Sequence, residues 1–179
     1  GVNSNLPDDI NIIWVKDVVQ EFDARYSAVS RTYQYLIVNQ KINDVFLINR
    51  ALWIPYNLDI NLMQQAARHF HGEHDFTSFR SSSCQAKSPI RTISTLNIEQ
   101  SKQRILIQCT ANAFLQHMVR NIVGTLIDVG EGVLSPDSIS IILDSKDRTK
   151  SGKTVSSSGL YLVGIDYPGK FQLPHSEFK

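Results

Sequence analysis

The stretch Leu115-Gln116-His117-Met118-Val119-Arg120-Asn121-Ile122-Val123-Gly124-Thr125-Leu126-Ile127-Asp128-Val129-Gly130 decides how the rest of this 179-residue chain is read. Leu115, Met118, Val119, Ile122, Val123, Leu126 and Ile127 recur at three and four residues, the spacing of an apolar helix face, and Gly130 supplies a stop. A second stripe runs beside it. His117, Arg120, Asn121 and Gly124 stand at i, i+3, i+4 and i+7 and so share one side. A solvated polar face is the ordinary reading of such a stripe. Gly124, however, costs a helix middle about 1 kcal/mol against Ala, which points to a close approach to the backbone there.

Working outward, Arg91 to Glu99 and Arg104 to Ala111 read as a hairpin joined by the polar residues Gln100 to Gln103. Upstream, Asp59 can cap a helix whose face is Met63, Ala66, Ala67 and Phe70, with Gly72 as its stop. Arg31 to Asn39 alternates as a strand, and Asp9 to Val18, with its β-branched residues and Trp14, reads as another. Downstream, Ser135 and Pro136 open a short helix. A polar loop fills Asp144 to Ser158, and Leu160 to Tyr167 is a last strand. The order β-β-α-β-β-α-α-β with hairpin-length links predicts an α+β fold, a mostly antiparallel sheet flanked by helices.

Composition narrows the class. The chain is 42% hydrophobic and 20% charged with a net charge of +1, values of an ordinary globular domain that neither demand nor exclude a nucleic-acid partner. No apolar run reaches the about 18 residues of a membrane span, and the first residues lack the pattern of a signal peptide. Cys84 and Cys109 are too few for a disulfide framework and read as reduced thiols in a cytoplasmic protein. The chain opens at Gly1 in what reads as a loop.

Four groups of residues invite chemistry. Tyr33 and Tyr35 share a strand face, which is commonly sheet packing but also suits stacking on a base. His69, His71 and His74 lie close together, yet their spacing matches no common zinc motif. Arg80, Lys87 and Arg91 flank a serine-rich loop, and Lys146, Arg148, Lys150 and Lys153 lie in the later polar loop. Both have the composition of a phosphate-contacting surface, and equally of plain surface loops. No Gly-rich phosphate loop, Ser-His-Asp order or Cys-His signature is present.

Several blocks resemble the tRNA pseudouridine synthase A family. They are Gly1 to Pro7, Phe22-Asp23-Ala24-Arg25-Tyr26-Ser27-Ala28, Arg31-Thr32-Tyr33-Gln34-Tyr35, Gly72-Glu73-His74-Asp75-Phe76-Thr77-Ser78-Phe79-Arg80, Asn112 to Gly124, and Gly159-Leu160-Tyr161-Leu162-Val163 before Asp166-Tyr167-Pro168. They follow the family's order over nearly the whole chain. The resemblance implies a pseudouridine-synthase-type fold and an isomerase that converts uridine to pseudouridine in the tRNA anticodon stem-loop. It also implies a homodimer that needs no cofactor and no metal.

On that resemblance Tyr33 is the active-site tyrosine against the target uracil, and Arg120 is the residue that pairs with the catalytic aspartate. Arg25, Arg80, His117 and Asn121, all within matching blocks, are read as substrate-binding. One departure matters. The family's strongest signature, Arg-Thr-Asp-Ala-Gly-Val-His, carries the nucleophilic aspartate and does not occur in this sequence. Residues 1–28 are therefore expected to be a remnant of an N-terminal domain and 29–179 the C-terminal domain. The chain is expected to be inactive alone. An RNA-binding module without catalysis and a dimerisation domain are the competing readings.

Overall fold

The computed structural model describes residues 1–174. Its regular elements are β1 (Ser30–Asn39), β2 (Leu52–Ile54), α1 (Ile60–Arg68), β3 (Gly72–Asp75), β4 (Ile90–Ser101), β5 (Arg104–Ala111), α2 (Met118–Gly130), α3 (Ser138–Ser145) and β6 (Leu160–Asp166). They build one six-stranded sheet in the order β2-β1-β5-β4-β3. β6 pairs with the first half of β1 and β2 with its last three residues, so both lie along the edge opposite β5. Only β1–β2 is parallel among these pairs. The expected α+β fold with a mostly antiparallel sheet is what forms.

β5 shows why. Ile105, Ile107, Cys109 and Ala111 are buried while Leu106, Gln108 and Thr110 are half-buried, the period of two that a sheet with one covered face imposes. Opposite them on β1, Tyr35 and Ile37 enter the same core. The other face is a polar ladder: Gln34 Nε2 donates to Gln108 Oε1 at 2.9 Å, and the hydroxyls of Thr32 and Thr110 meet at 2.9 Å. α1 packs on α2 and across β4, covering the apolar face. Truncating a core side chain such as Ile107 to Ala should cost about 2–5 kcal/mol, since the cavity left cannot fully collapse.

α2 is a central element, not an amphipathic surface helix: eleven of its thirteen residues are buried. It begins at Met118, later than the apolar period suggests, because His117 stands in the left-handed region at φ 64° and breaks the helical run.

Two expectations fail, and two short strands form where none was expected. Asp9 to Val18 forms no strand. Its backbone is tied only locally, as where Asn3 brackets Ile12 through both amide atoms, and Ile13 and Val15 are 76% and 81% exposed. Strand propensity is context-dependent, and an apolar, β-branched segment does not become a strand unless its backbone pairs with another. The strands β2 and β3 were not foreseen, since each is four residues or fewer and short runs carry little periodicity. Gly72 does not stop α1, which ends at Arg68; with φ +98° it opens β3, a backbone that glycine adopts without strain.

Candidate active site

The polar stretch after α3 is a packed element. Arg148, in a short 3-10 turn, donates five hydrogen bonds: to the Ser151 carbonyl (3.3 Å) and hydroxyl (2.8 Å), the Gly152 carbonyl (3.0 Å), Thr154 Oγ1 (3.0 Å) and Asn121 Oδ1 (3.0 Å). Asn121 is fully buried on α2. Its amide donates to the Phe79 carbonyl at 2.7 Å, and its Oδ1 also accepts from Thr154 at 2.6 Å. Thr125 Oγ1 accepts from the Gly152 N–H at 2.8 Å and donates to the Asn121 carbonyl at 2.9 Å. Residues 151–156 thus form a strap lying on α2.

Glycine makes the approach possible. A Cβ at Gly124 would sit 2.0 Å from the Lys153 carbonyl oxygen, and one at Gly152 would sit 2.6 Å from the Gly124 carbonyl carbon. The close approach anticipated at Gly124 is therefore real, and its partner is the chain's own strap. The solvated reading of the polar stripe fails at Asn121 and Gly124, which are both buried.

The strap ends on the side chains of Arg120 and Tyr35. The Val155 carbonyl accepts from Arg120 Nε at 2.7 Å, and the Ser156 carbonyl accepts from the Tyr35 hydroxyl at 2.6 Å. Burial pushes the Tyr35 phenol well above its ordinary pKa, and the positive charge of Arg120 partly opposes this, so the hydroxyl stays protonated and a donor. Arg120 is half-buried. Apart from the bond to Val155, its guanidinium meets no acceptor and no carboxylate among the described residues. Tyr33 lies two residues along the same strand face, about 7 Å away along β1. Its half-buried ring packs edge-on against Phe114 at 5.0 Å. Beside it the β1–β6 register shifts, leaving Val163 as the extra residue of a bulge, a device that re-aims side chains at sites.

A second cluster forms below the N-terminus of α2. Burial would raise the Cys84 thiol, but the backbone N–H groups of Ala86 and Gln116, with Arg80 and Arg91 close by, hold it below the usual thiol range. Arg80 and the segment leading to His117 therefore share a neighbourhood, and His117 is exposed. Arg25 is exposed in a turn built by Asp23, whose carboxylate accepts from the N–H groups of Arg25 and Tyr26 at 2.8 and 2.7 Å. Its guanidinium lies 5.6 Å from the centre of its neighbour Tyr26's ring, and Arg31 binds its carbonyl. Asn121, expected to face substrate, is interior instead.

Of the basic residues in the later loop, Arg148 is consumed by the strap and Lys146 pairs with Asp75 at 3.3 Å; Lys150 and Lys153 are exposed. His74 bonds the His71 carbonyl and His69 contacts Ser140 and Asp137. Among the described residues no three His, Cys, Asp or Glu side chains are grouped to hold a metal. No helix of the described residues is long and apolar enough to cross a membrane. What the sequence did not reveal was that Tyr35 and Arg120 bond adjacent carbonyls of the strap, or that Arg148 acts as its clip. The one available signal was the pairing of Gly124 with Gly152, two glycines where a helix and a polar loop had no evident need of them.

Comparison with known proteins completes the picture. A family model described as tRNA pseudouridine synthase matches residues 66–168, more than half of the chain. The chain is 47% identical over 97% of its length to tRNA pseudouridine synthase A of Shewanella sediminis, covering 67% of that protein. It is 48% identical over 97% of its length to the protein of that name from Buchnera aphidicola, covering 66% of it, and 45% identical to one from Coxiella burnetii. The chain spans about two thirds of the length of these relatives. With 47% identity along nearly all of its own length, the chain belongs to the tRNA pseudouridine synthase family of RNA isomerases.

Proposed function

We propose that this chain supplies one side of the site at which uridine in the anticodon stem-loop of tRNA is isomerised to pseudouridine. Arg120 is the observation that carries the reading. Its Nε side is fixed by the Val155 carbonyl, and the opposite edge of the guanidinium has no protein acceptor among the described residues. That edge suits a carboxylate, which an arginine fork takes in a bidentate grip. A nucleophilic aspartate in a pocket that excludes water tends to pick up a proton; an arginine beside it opposes that shift and sets its orientation.

The target base must leave its stack before the glycosidic bond can be reached. Tyr33, braced on Phe114, offers the flipped uracil a ring worth roughly 1–3 kcal/mol by the standard of stacked single strands. Arg25 and His117, which are exposed, and the half-buried Arg80 would meet RNA in this reading, whereas Asn121 would contribute from inside. The aspartate belongs to a segment outside this sequence. Residues 1–28 then belong with that segment's domain, and the active form is a cytoplasmic homodimer using neither cofactor nor metal.

Two measurements test this. The chain alone, mixed with transcribed tRNA, should form no pseudouridine; turnover would mean that a carboxylate of this chain can act. In the full-length enzyme, Arg120→Ala should collapse turnover while tRNA binding survives. Loss of both together would make Arg120 a folding residue and end its assignment to the site.

A further inference from the structure

We infer that Arg148 is a positioning residue for this site, acting through the strap on Arg120 and Tyr35. The inference rests on the reading of Arg120 given above. The sequence places Arg148 in a basic loop of the kind that contacts phosphate, but its geometry is that of an internal clip. Both terminal nitrogens of its guanidinium point into the strap and α2, on five acceptors. One of them, Asn121 Oδ1, belongs to a fully buried side chain whose amide end is tied to the 3-10 turn Thr77–Phe79.

The strap is therefore held at its start by Arg148 and in its middle by the backbone contact with Gly124, and three residues beyond its end Gly159 fits closely against β1. A Cβ at Gly159 would meet the Leu36 carbonyl at 2.5 Å. Between those anchors the chain has little freedom, and in that interval the Val155 and Ser156 carbonyls hold Arg120 and Tyr35. A shift of the strap moves both acceptors together. The free edge of Arg120 then points elsewhere, although no residue that touches substrate has changed.

A lysine at position 148 keeps the charge but replaces a planar fork by a single ammonium with three donors, too few for the same set of acceptors. In the full-length enzyme, Arg148→Lys should lower kcat on transcribed tRNA by roughly tenfold to a hundredfold, the scale of a misplaced catalytic geometry, while KM stays within about twofold. A raised KM with unchanged kcat, steeply dependent on salt, would identify a phosphate contact and overturn the inference.

The decisive measurement is a double-mutant cycle. If Arg148 acts through Arg120, its substitution should cost less than about threefold in kcat when made in Arg120→Lys enzyme, because coupled residues are not additive. An undiminished cost in that background overturns the inference. Should Arg148→Lys fail to fold, Thr154→Val decides the matter: it deletes the bond to Asn121 and one of the five that Arg148 makes, and leaves the guanidinium on its other four acceptors. It should give a smaller kcat loss with unchanged KM, again abolished by Arg120→Lys; an additive loss or none at all would be fatal. The two readings separate cleanly. Wild-type turnover by Arg120→Lys would sink the assignment of Arg120, whereas wild-type turnover by Arg148→Lys beside a crippled Arg120→Lys would sink only this one.

Discussion

Residues 10–19 and residues 151–156 exchange the roles their compositions suggest. The first segment is Ile-Asn-Ile-Ile-Trp-Val-Lys-Asp-Val-Val, with seven large apolar side chains in ten, and it lies on the surface without a ladder partner. The second is Ser-Gly-Lys-Thr-Val-Ser, with one apolar side chain, and it packs backbone to backbone on the most buried helix of the molecule. Burial in the strap is possible because its polar groups have partners: Gly152 N–H on Thr125, Thr154 on Asn121, and the Ser151 and Gly152 carbonyls on Arg148. A buried polar group is costly only when unpaired. The apolar segment has the converse difficulty, since its side chains need a surface to meet. Partners, not hydropathy, decide which segment is inside.

The hardest blow to the strap is a single methyl group. Gly124→Ala would place a carbon 2.0 Å from the Lys153 carbonyl oxygen, a backbone atom that cannot rotate aside. Either the strap lifts off α2 or the helix shifts, and overpacking of this kind costs about 3 kcal/mol. Urea unfolding of the variant should show that loss. The Tyr35 hydroxyl should lose its carbonyl partner in the same variant, visible as a changed tyrosine near-ultraviolet signal. A loss below about 0.5 kcal/mol, the scale of a neutral surface change, would show that the strap is not seated as described.

A gentler probe is Asp128, beneath the strap, whose carboxylate a Cβ at Gly152 would approach to 2.5 Å. Burial raises its pKa first, the charge of Glu131 adds to this, and Lys153 pulls the other way. The sign follows from linkage: a carboxyl whose folded pKa is raised favours the folded state while protonated. That contribution is full below the unfolded pKa near 4 and fades as pH rises through the higher folded value. Asp128→Asn should therefore flatten the fall in stability as pH rises above about 4. Because the group is only half-buried and partly screened, the gain at pH 7 should stay under about 1 kcal/mol. Unfolding free energies across that range check it, and an unchanged slope would mean that Asp128 faces water, clear of the strap.

How much of this was legible depended on whether a residue's partner was near in sequence or in period. The hairpin Arg104–Ala111 against Ile90–Ser101 and the helix ending at Gly130 were visible because alternation and a three-four repeat are local signals. So was Asp59 as a cap, which accepts from the Leu62 N–H at 3.1 Å. Tyr33 and Arg120 stood out through family-like blocks, and the spacing of Gly124 flagged a close approach. The identity of what approached was not legible, because Asn121 and Arg148 are twenty-seven residues apart and meet only through the fold. Tyr35 was hidden for a related reason. A strand tyrosine looks alike whether its hydroxyl reaches water or, as here, a carbonyl 121 residues away. The same gap misled the reading of residues 9–18, where a strong local β signal is paired with no strand of the sheet.

The smallest effect tests the exposed member of the pair. Val15 is 81% exposed, so removing its isopropyl group from water gains the folded chain almost nothing. Val15→Ser should change the unfolding free energy of this chain by no more than about 0.5 kcal/mol, the range of surface substitutions. The contrast with Gly124→Ala then spans several-fold for changes of one and two heavy atoms, in the direction opposite to hydropathy. A Val15→Ser loss above about 1 kcal/mol would place the side chain against an apolar surface. One such surface is the cavity of about 320 Å³ that the neighbouring Trp14 shares with Leu162, Ile165, Tyr167 and Leu173. Trp14 fluorescence distinguishes the outcomes: an emission maximum that shifts to the red with Val15→Ser would mean that the whole segment is held on β6 as a unit, whereas an unshifted maximum leaves only Trp14 seated there and Val15 in water.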